Sequence, residues 1–558
     1  MTPEERVREL KREYGAPDVS VAHLLCDRHP ADAVAFTIVD EDLSATVLTY
    51  GELRSSSERF ASGLAALGVR PGDRVATLMG KGSELAVALL GIWRLGAVHV
   101  PLFTAFAPPA IATRLLGSGA TVVVCDDKQR SKLEPGDDFP DPLPWRVIVA
   151  GRESPGSADG AGDLSFEALL AAPAGGFRAA ALGGEAPFIE IYTSGTTGQP
   201  KGVVVPTLAI ASFQTYLEYG LAVTSQDVYW CAADPGWAYG LWWAIVAPLA
   251  AGVPAILLRP GFSAELTWRL LATFGVTNFA AAPTVYRSLL ASGSAAPTGL
   301  KLQRLSSAGE PLTPEINEWS SVALGAEVHD HYGQTEAGMV LNNHHHPDLA
   351  RPLRPGSMGQ PMPGWAVTVL EPEFDRIAPP ASTGRIAVDM EASELAWFRG
   401  YKDNAEATAS KFVGDGRWYL TGDVGSVDED GYFWFSARDD DVIIMAGYRI
   451  GPFEVESVLT QHPSVAECAV IAAPDTLRGE VLEAYVVLRP GTEPSAELIS
   501  DLQAQVKQRF AAHAYPRAIH FVSGLPRTPS GKIQRFLLRR ARREQGQGQG
   551  QGQGPAEA

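Results

Sequence analysis

From about residue 36 onward the chain alternates short apolar, β-branched runs with segments of helical period, and no other feature restricts its fold as much. "ATVLTYGEL" (45–53) leads a strand into a helix, with Thr49 and Glu52 spaced as a capping box and Leu53, Phe60 and Leu64 on one face. "RVATLM" (74–79) reads as a strand, "SELAVALLGIWRLG" (83–96) as a helix, and "TVVVC" (121–125) and "RVIVA" (146–150) as further strands. Strands joined through helices pair in parallel by crossovers. The expectation is an α/β fold with largely parallel sheets.

At 558 residues the chain exceeds what one hydrophobic core holds, so two or more domains are expected. A polar loop fills 151–163, and "FIEIY" (188–192) then runs straight into a glycine-rich segment. Beyond about residue 437 lies a smaller unit. It reads as helix 452–461, strands "ECAVIAA" and "EAYVVL", helix 497–510, strand "AIHFV" and the segment "GLPRTPSGKIQR". The terminal "QGQGQGQGQGPAEA" is low-complexity and is expected to be disordered.

A net charge of −18 excludes a general nucleic-acid or anionic-membrane surface, though not local phosphate pockets. Cys26, Cys125, Cys231 and Cys468 show no metal or disulfide spacing, which points to a reduced, cytoplasmic protein. The charged N-terminus does not read as a signal peptide. Residues 240–258 carry no charge, but Pro248, Gly252 and Pro254 break the run into a helix, a turn and a buried strand rather than a membrane span. "HHH" (344–346) reads as a polar loop, since consecutive residues seldom face one metal. His329 and His331 read as structural.

"YTSGTTGQPKG" (192–202) concentrates hydroxyls, glycines and one lysine. Pro200 precedes Lys201, so the Walker spacing fails, yet the chemistry still suits phosphate: close backbone approach, N–H and hydroxyl donors, one cation. Alone it is weak evidence. Four more segments follow in order: "SSAGEPL" (306–312), "DHYGQTEAG" (330–338), "WYLTGDVGSVDEDGYFWFSARDDDVI" (418–443) and "LPRTPSGKIQR" (525–535). With the loop, they closely resemble the core motifs of the adenylate-forming superfamily from about residue 30 to 540. "DVYWCAADPGWAYG", "KGVVVP", "PGSMGQPMPGW" and "GYRIGPFEVESVL" look most like short- and medium-chain acyl-CoA synthetases, including acetyl-CoA synthetase-like members.

The resemblance implies a large N-terminal domain (1–439) with a β-barrel-like subdomain, and a small mobile α+β domain (440–541) before a tail (542–558). It implies an AMP-forming carboxylate–CoA ligase using ATP, Mg²⁺ and coenzyme A on a short-to-medium-chain acid. The loop residues Thr193, Ser194, Gly195, Thr196, Thr197, Gly198 and Lys201 match the holders of the β- and γ-phosphates. Thr335 and Glu336 match the α-phosphate contact and the Mg²⁺ ligand. Gly309, Glu310 and Pro311, with Asp330, His331, Tyr332, Gly333 and Gln334, match the adenine-lining segments. Asp423 matches the ribose-binding acid, assisted by Arg438.

Lys532 matches the lysine whose charge sits between substrate carboxylate and α-phosphate. Arg535, Arg539 and Arg540 beside it read as solvating a helix end. Asp440 matches the hinge about which the small domain turns after adenylation. Ala446, Gly447 and Tyr448 match the pantetheine tunnel, while Arg478 and Lys507 are either coenzyme A contacts or solvated surface charges. Lys532 also resembles the target of protein acetyltransferases and deacetylases in related synthetases.

The acyl pocket is expected around Trp237, Tyr239, Trp242 and Gly333. In acetate-specific members a tryptophan stands where Gly333 is, so the glycine implies an open floor, partly refilled by Tyr239, Trp242 and Trp243. Two alternatives share these motifs: an enzyme that loads a carrier protein, and a non-catalytic nucleotide-binding protein.

Overall fold

The computed structural model describes residues 1–151, 162–171, 176–193, 200–445, 448–475, 479–511, 514–528 and 532–550. Among these, the strands form three sheets. Two of them fill the first three-quarters of the chain. The seven-stranded sheet is parallel from Leu164–Ser165 across to Pro187–Thr193, and ends in the antiparallel hairpin partner Lys201–Pro206. Its inner strands are buried on both faces, which is why they read as continuous apolar runs.

The expected helices cover this sheet. Tyr50–Ala66 starts at the Thr49–Glu52 capping box and buries Leu53, Phe60 and Leu64. Ser83–Leu95 ends at Gly96, whose φ of +82° suits a glycine cap. The uncharged run 240–258 divides as its breakers require. A π-helical stretch, Leu241–Val246, precedes Pro248; Gly252 caps the following turn at φ +70°; and Ala255–Leu258 is a buried strand. No helix of the described residues is long and apolar enough to cross a membrane.

The second sheet has 14 strands. Its middle is parallel, running from Val328–Gln334 through Arg304–Ala308 to Val34–Val39. Antiparallel strands continue it on one side, through Gly338–Asn342 to Phe433–Arg438, Trp418–Val427 and Val367–Leu370. The barrel-like subdomain expected from the resemblance takes this form, an extension of one sheet.

The C-terminal unit has a five-stranded sheet and its own core, built on Ile443, Val455, Leu459, Val470, Leu482 and Leu502 among others. Its helices span Pro452–Leu459 and Ala496–Arg509. One expectation fails here. Helix Arg535–Gly550 runs through residues that low complexity had marked as disordered from 542 onward. The reason is anchorage: Arg535 pairs with Glu456, Arg539 with Asp441 and Arg542 with Glu483, so the helix is tied to the unit before its glutamine–glycine stretch begins. Residues 551–558 lie outside the described residues.

Candidate active site

Strand Val328–Gln334 leaves the parallel part of the large sheet, turns at 335–337 and returns antiparallel as Gly338–Asn342. Gly338, at φ +81°, permits the turn. The turn carries Thr335 and a buried Glu336, 8% exposed. Tyr401 Oη donates to Glu336 Oε1 at 2.7 Å. A buried carboxylate costs free energy unless it is paired and hydrogen-bonded. Lys201 lies with its Nζ over the same phenol ring, 5.2 Å from the Tyr401 ring centre.

A second acid gathers three partners. The pairing of Trp418–Val427 with Phe433–Arg438 sets Asp423 opposite Arg438, and Nη1 meets Oδ1 at 2.9 Å. Gln334 Nε2 donates to Asp423 Oδ2 at 2.7 Å, and Tyr332 Oη donates to the same oxygen. Tyr419 Oη fixes the other end of the Gln334 amide at 2.9 Å. Burial, with Asp423 alongside, raises the Tyr332 phenol well above its ordinary pKa, so it stays a donor. Tyr332, Gln334, Asp423 and Arg438 thus form one cluster.

A third group lies across the cleft. Gly309 has φ +98°, and a Cβ there would stand 2.8 Å from the Trp237 ring, so glycine is required twice over. Glu310 accepts from Thr284 Oγ1 at 2.9 Å and pairs with Arg287. Lys532 reaches in from the C-terminal unit: its Nζ stands 5.7 Å from the centre of the Trp237 ring. The residue is open to solvent along the cleft, yet its ammonium is crowded by protein. That burial lowers its pKa, opposed by the charges of Glu310, Asp423 and Glu336.

Asp330 and His331 lie beneath. Asp330 accepts from Ser307 Oγ at 3.2 Å, and burial pushes its carboxyl up to about 7. His331 meets Tyr216 Oη at 2.6 Å, and Tyr216 in turn meets Tyr239 at 2.9 Å. Burial holds His331 and His345 well below the ordinary imidazole range. His329, His331 and His345 come close enough to suggest a metal, but the His329 and His345 rings stack face to face at 3.6 Å. Imidazole lone pairs lie in the ring plane, so stacked rings cannot converge on one ion. His329 and His331 meet the backbone carbonyl of Asn343, and His345 that of Leu305.

Several expectations need correction. Gly333 does not open a floor: a Cβ there would lie 2.2 Å from the Gly338 carbonyl oxygen and 2.7 Å from Met339 Cα. The glycine serves the close approach of the two arms of the turn. Trp242 is core, stacked on Phe213 at 4.6 Å and 1% exposed. Of the expected pocket residues, Trp237 is the one beside the lysine. Arg535 and Arg539 do not solvate a helix end; they pair with the carboxylates of Glu456 and Asp441. His344 to His346 are packed rather than a free polar loop, His344 being 4% exposed.

Thr193 and Lys201 face each other at the mouth of a hairpin. Ser194, Gly195, Thr196, Thr197 and Gly198 lie outside the described residues, as do Ala446, Gly447 and Arg478. Tyr448 pairs with Met445 in a short hairpin, and Asp440 lies in the 3₁₀ turn Asp439–Asp441. Lys507 stacks its ammonium 3.9 Å from the Tyr515 ring centre. Sequence reasoning missed Tyr401 and Lys411, which lie in no motif and reach the site only through strand pairing.

The chain matches the AMP-binding enzyme family over residues 25–401, and the AMP-binding enzyme C-terminal domain over residues 454–532. It is 36% identical to the acetyl-coenzyme A synthetase of Bacillus subtilis (strain 168), over 88% of this chain and 84% of that relative. It is 35% identical to the mitochondrial acyl-coenzyme A synthetase ACSM3 of Rattus norvegicus, over 91% of this chain and 86% of that relative. The crystal structure of Brucella canis acyl-CoA synthetase superposes with a TM-score of 0.72 at 44% identity, covering 95% of this chain and 96% of that one.

Proposed function

This chain belongs to the AMP-binding enzyme family, and from that premise we propose which of its residues make it an ATP-dependent acyl-CoA synthetase. The reaction joins a short-to-medium-chain carboxylic acid to ATP as acyl-AMP, then passes the acyl group to coenzyme A. In the first step a carboxylate oxygen bonds to the α-phosphorus while the bond to the pyrophosphate oxygen breaks. In the second the thiolate sulfur attacks the acyl carbonyl and AMP leaves.

One observation carries the residue roles: the Lys532 ammonium over Trp237, within the field of Glu310, Asp423 and Glu336. A cation there meets the acid and the α-phosphate where negative charge collects, which favours the adenylation step. Asp423, with Tyr332, Gln334 and Arg438 fixing it, takes the ribose hydroxyls. Thr193, Lys201 and the loop between them take the outer phosphates. Glu336 fits Mg²⁺: its oxygens are hard anionic donors with one described hydrogen bond among them. Bound there, Mg²⁺ would supply charge neutralisation on the nucleotide phosphates.

The division at 439/440, with Asp440 as hinge, assigns Lys532 to the first step alone and the Ala446–Tyr448 and Arg478 region to coenzyme A. Four unpaired, buried cysteines support a reduced, cytoplasmic setting, which localisation of the tagged protein checks. The solvent-open Lys532 also supports control by acetylation, which would remove its charge; mass spectrometry of the native protein tests it.

The test is acid-dependent pyrophosphate exchange across a panel of acids, followed by thioester formation with free coenzyme A or a carrier protein. Lys532→Ala is expected to lose exchange by at least about 10²-fold while still converting supplied acyl-AMP to thioester. Equal loss of both half-reactions in a folded variant would refute the division of labour.

A further inference from the structure

Lys411 belongs to none of the recognised motifs, yet it lies against the segment that carries Asp423. It follows the short helix Ala405–Ala409 and leads into Phe412–Val413, which pairs antiparallel with the strand that carries Asp423. That pairing lays its side chain along the strand. Nζ donates to the carbonyls of Leu420 at 3.2 Å and Thr421 at 3.0 Å. The Thr421 carbonyl also accepts from Gln334 at 2.9 Å, so one oxygen links the lysine to the amide that holds Asp423. Gly422 marks the crowding: a Cβ there would meet Lys411 Nζ at 3.2 Å and Arg438 Nη2 at 3.5 Å.

Two cations therefore flank a single glycine. Burial lowers the Lys411 pKa; Glu336 and Asp423 oppose the shift, while Arg438 and Lys201 add to it. An ammonium has three N–H donors, and the described bonds to Leu420 and Thr421 use two. Asp423 already pairs with Arg438, so the charge left to meet a further anion is that of Lys411, whose third N–H has no described partner. A polyphosphate is such an anion.

We propose that Lys411 is a nucleotide-positioning residue, whose ammonium fixes the Thr421–Gly422–Asp423 segment and adds a standing positive charge beside Glu336 for the phosphates of ATP. The claim rests on the acyl-CoA synthetase reading and acts through Asp423 and Glu336, not on the reacting atoms. It separates from a merely structural role because charge and hydrogen bonding can be removed independently. Lys411→Gln keeps amide donors for the two carbonyls and loses the charge; Lys411→Arg keeps the charge.

The experiment measures ATP affinity by calorimetry in full-length protein with Mg²⁺, and KM for ATP and for the acid in pyrophosphate exchange. Lys411→Gln is expected to weaken ATP binding and raise KM for ATP by about tenfold or more, a value in the range of a lost charge-assisted contact. KM for the acid should stay within about twofold, and Lys411→Arg should recover most of the ATP affinity. Unchanged ATP affinity in Lys411→Gln overturns the proposal, as does an equal rise in both KM values. A wild type that binds ATP but adenylates no acid would sink the ligase reading, and the calorimetric comparison would still decide the role of Lys411.

Discussion

Burial acts on the ionisable side chains of this cleft more strongly than any single neighbour, and Asp330 carries the clearest consequence. Its carboxyl is 8% exposed and is raised from an ordinary 3.8 to about 7. Hydrogen bonds from Ser307 and from backbone N–H groups of Leu312 and His331 offset only part of the cost of desolvation. The sign follows from linkage. Between the two values the folded protein holds a proton that the unfolded chain has released, so stability falls as pH rises through that window. The contribution is complete below about 4 and gone above about 7. At about 1.4 kcal/mol per pH unit, it is on the order of 4 kcal/mol. Asp330→Asn keeps the shape and an acceptor for Ser307 but cannot ionise. The gap in melting temperature between variant and wild type should therefore widen in the variant's favour from about pH 5 to about pH 8. A gap that does not change with pH would show that Asp330 titrates normally in the fold.

The helix Arg535–Gly550 is an element held by charge. Arg535 places Nη2 2.8 Å and 2.7 Å from the two oxygens of Glu456, whose Oε1 also accepts the Val470 N–H at 2.7 Å. Glu456 is 6% exposed, so removing only the arginine leaves a buried carboxylate without its counter-charge. Arg535→Ala should cost about 3–5 kcal/mol in urea unfolding, whereas the double change Arg535→Met, Glu456→Met should recover most of it. Equal stability of single and double variants would deny the pairing. The same helix shows what a sequence does and does not make legible. Capping boxes such as Thr49–Glu52 and the parallel strands could be read directly, because each depends on spacing within a few residues. The motif residues were legible by type, and the fold does bring Glu336, Asp423, Arg438 and Lys532 into one cleft. Lys411 was not, since its place depends on which strand Phe412–Val413 joins. Gly333 was misread because a residue's identity does not say where its Cβ would point. The tail was misread because composition gave no sign of the arginine anchors upstream.

At the scale of the whole molecule, the structure has the arrangement proposed for adenylation, with Lys532 inserted over Trp237. Among the described residues, one polar contact between the C-terminal unit and the larger part is well defined. Arg489, after strand Gly479–Leu488, pairs with Glu315 in the first turn of helix Pro314–Ala323. Both side chains are partly open, at 38% and 30%, so the pair contributes about 1 kcal/mol or less. That is enough to bias two domain arrangements by about fivefold, because about 1.4 kcal/mol corresponds to tenfold. On the proposed rotation about Asp440, the bond exists in the adenylation arrangement and must break before the thioester step. Arg489→Glu should therefore slow single-turnover adenylation by up to about fivefold while leaving, or slightly raising, the rate of thioester formation from supplied acyl-AMP. Adding Glu315→Arg rebuilds the pair with reversed charges and should restore the original ratio of the two rates. The decisive quantity is that ratio, not either rate alone, since a general loss of fold lowers both together. A ratio that stays constant through the wild type, the single variant and the charge-reversed double variant would mean that the Arg489–Glu315 contact does not set the balance between the two arrangements.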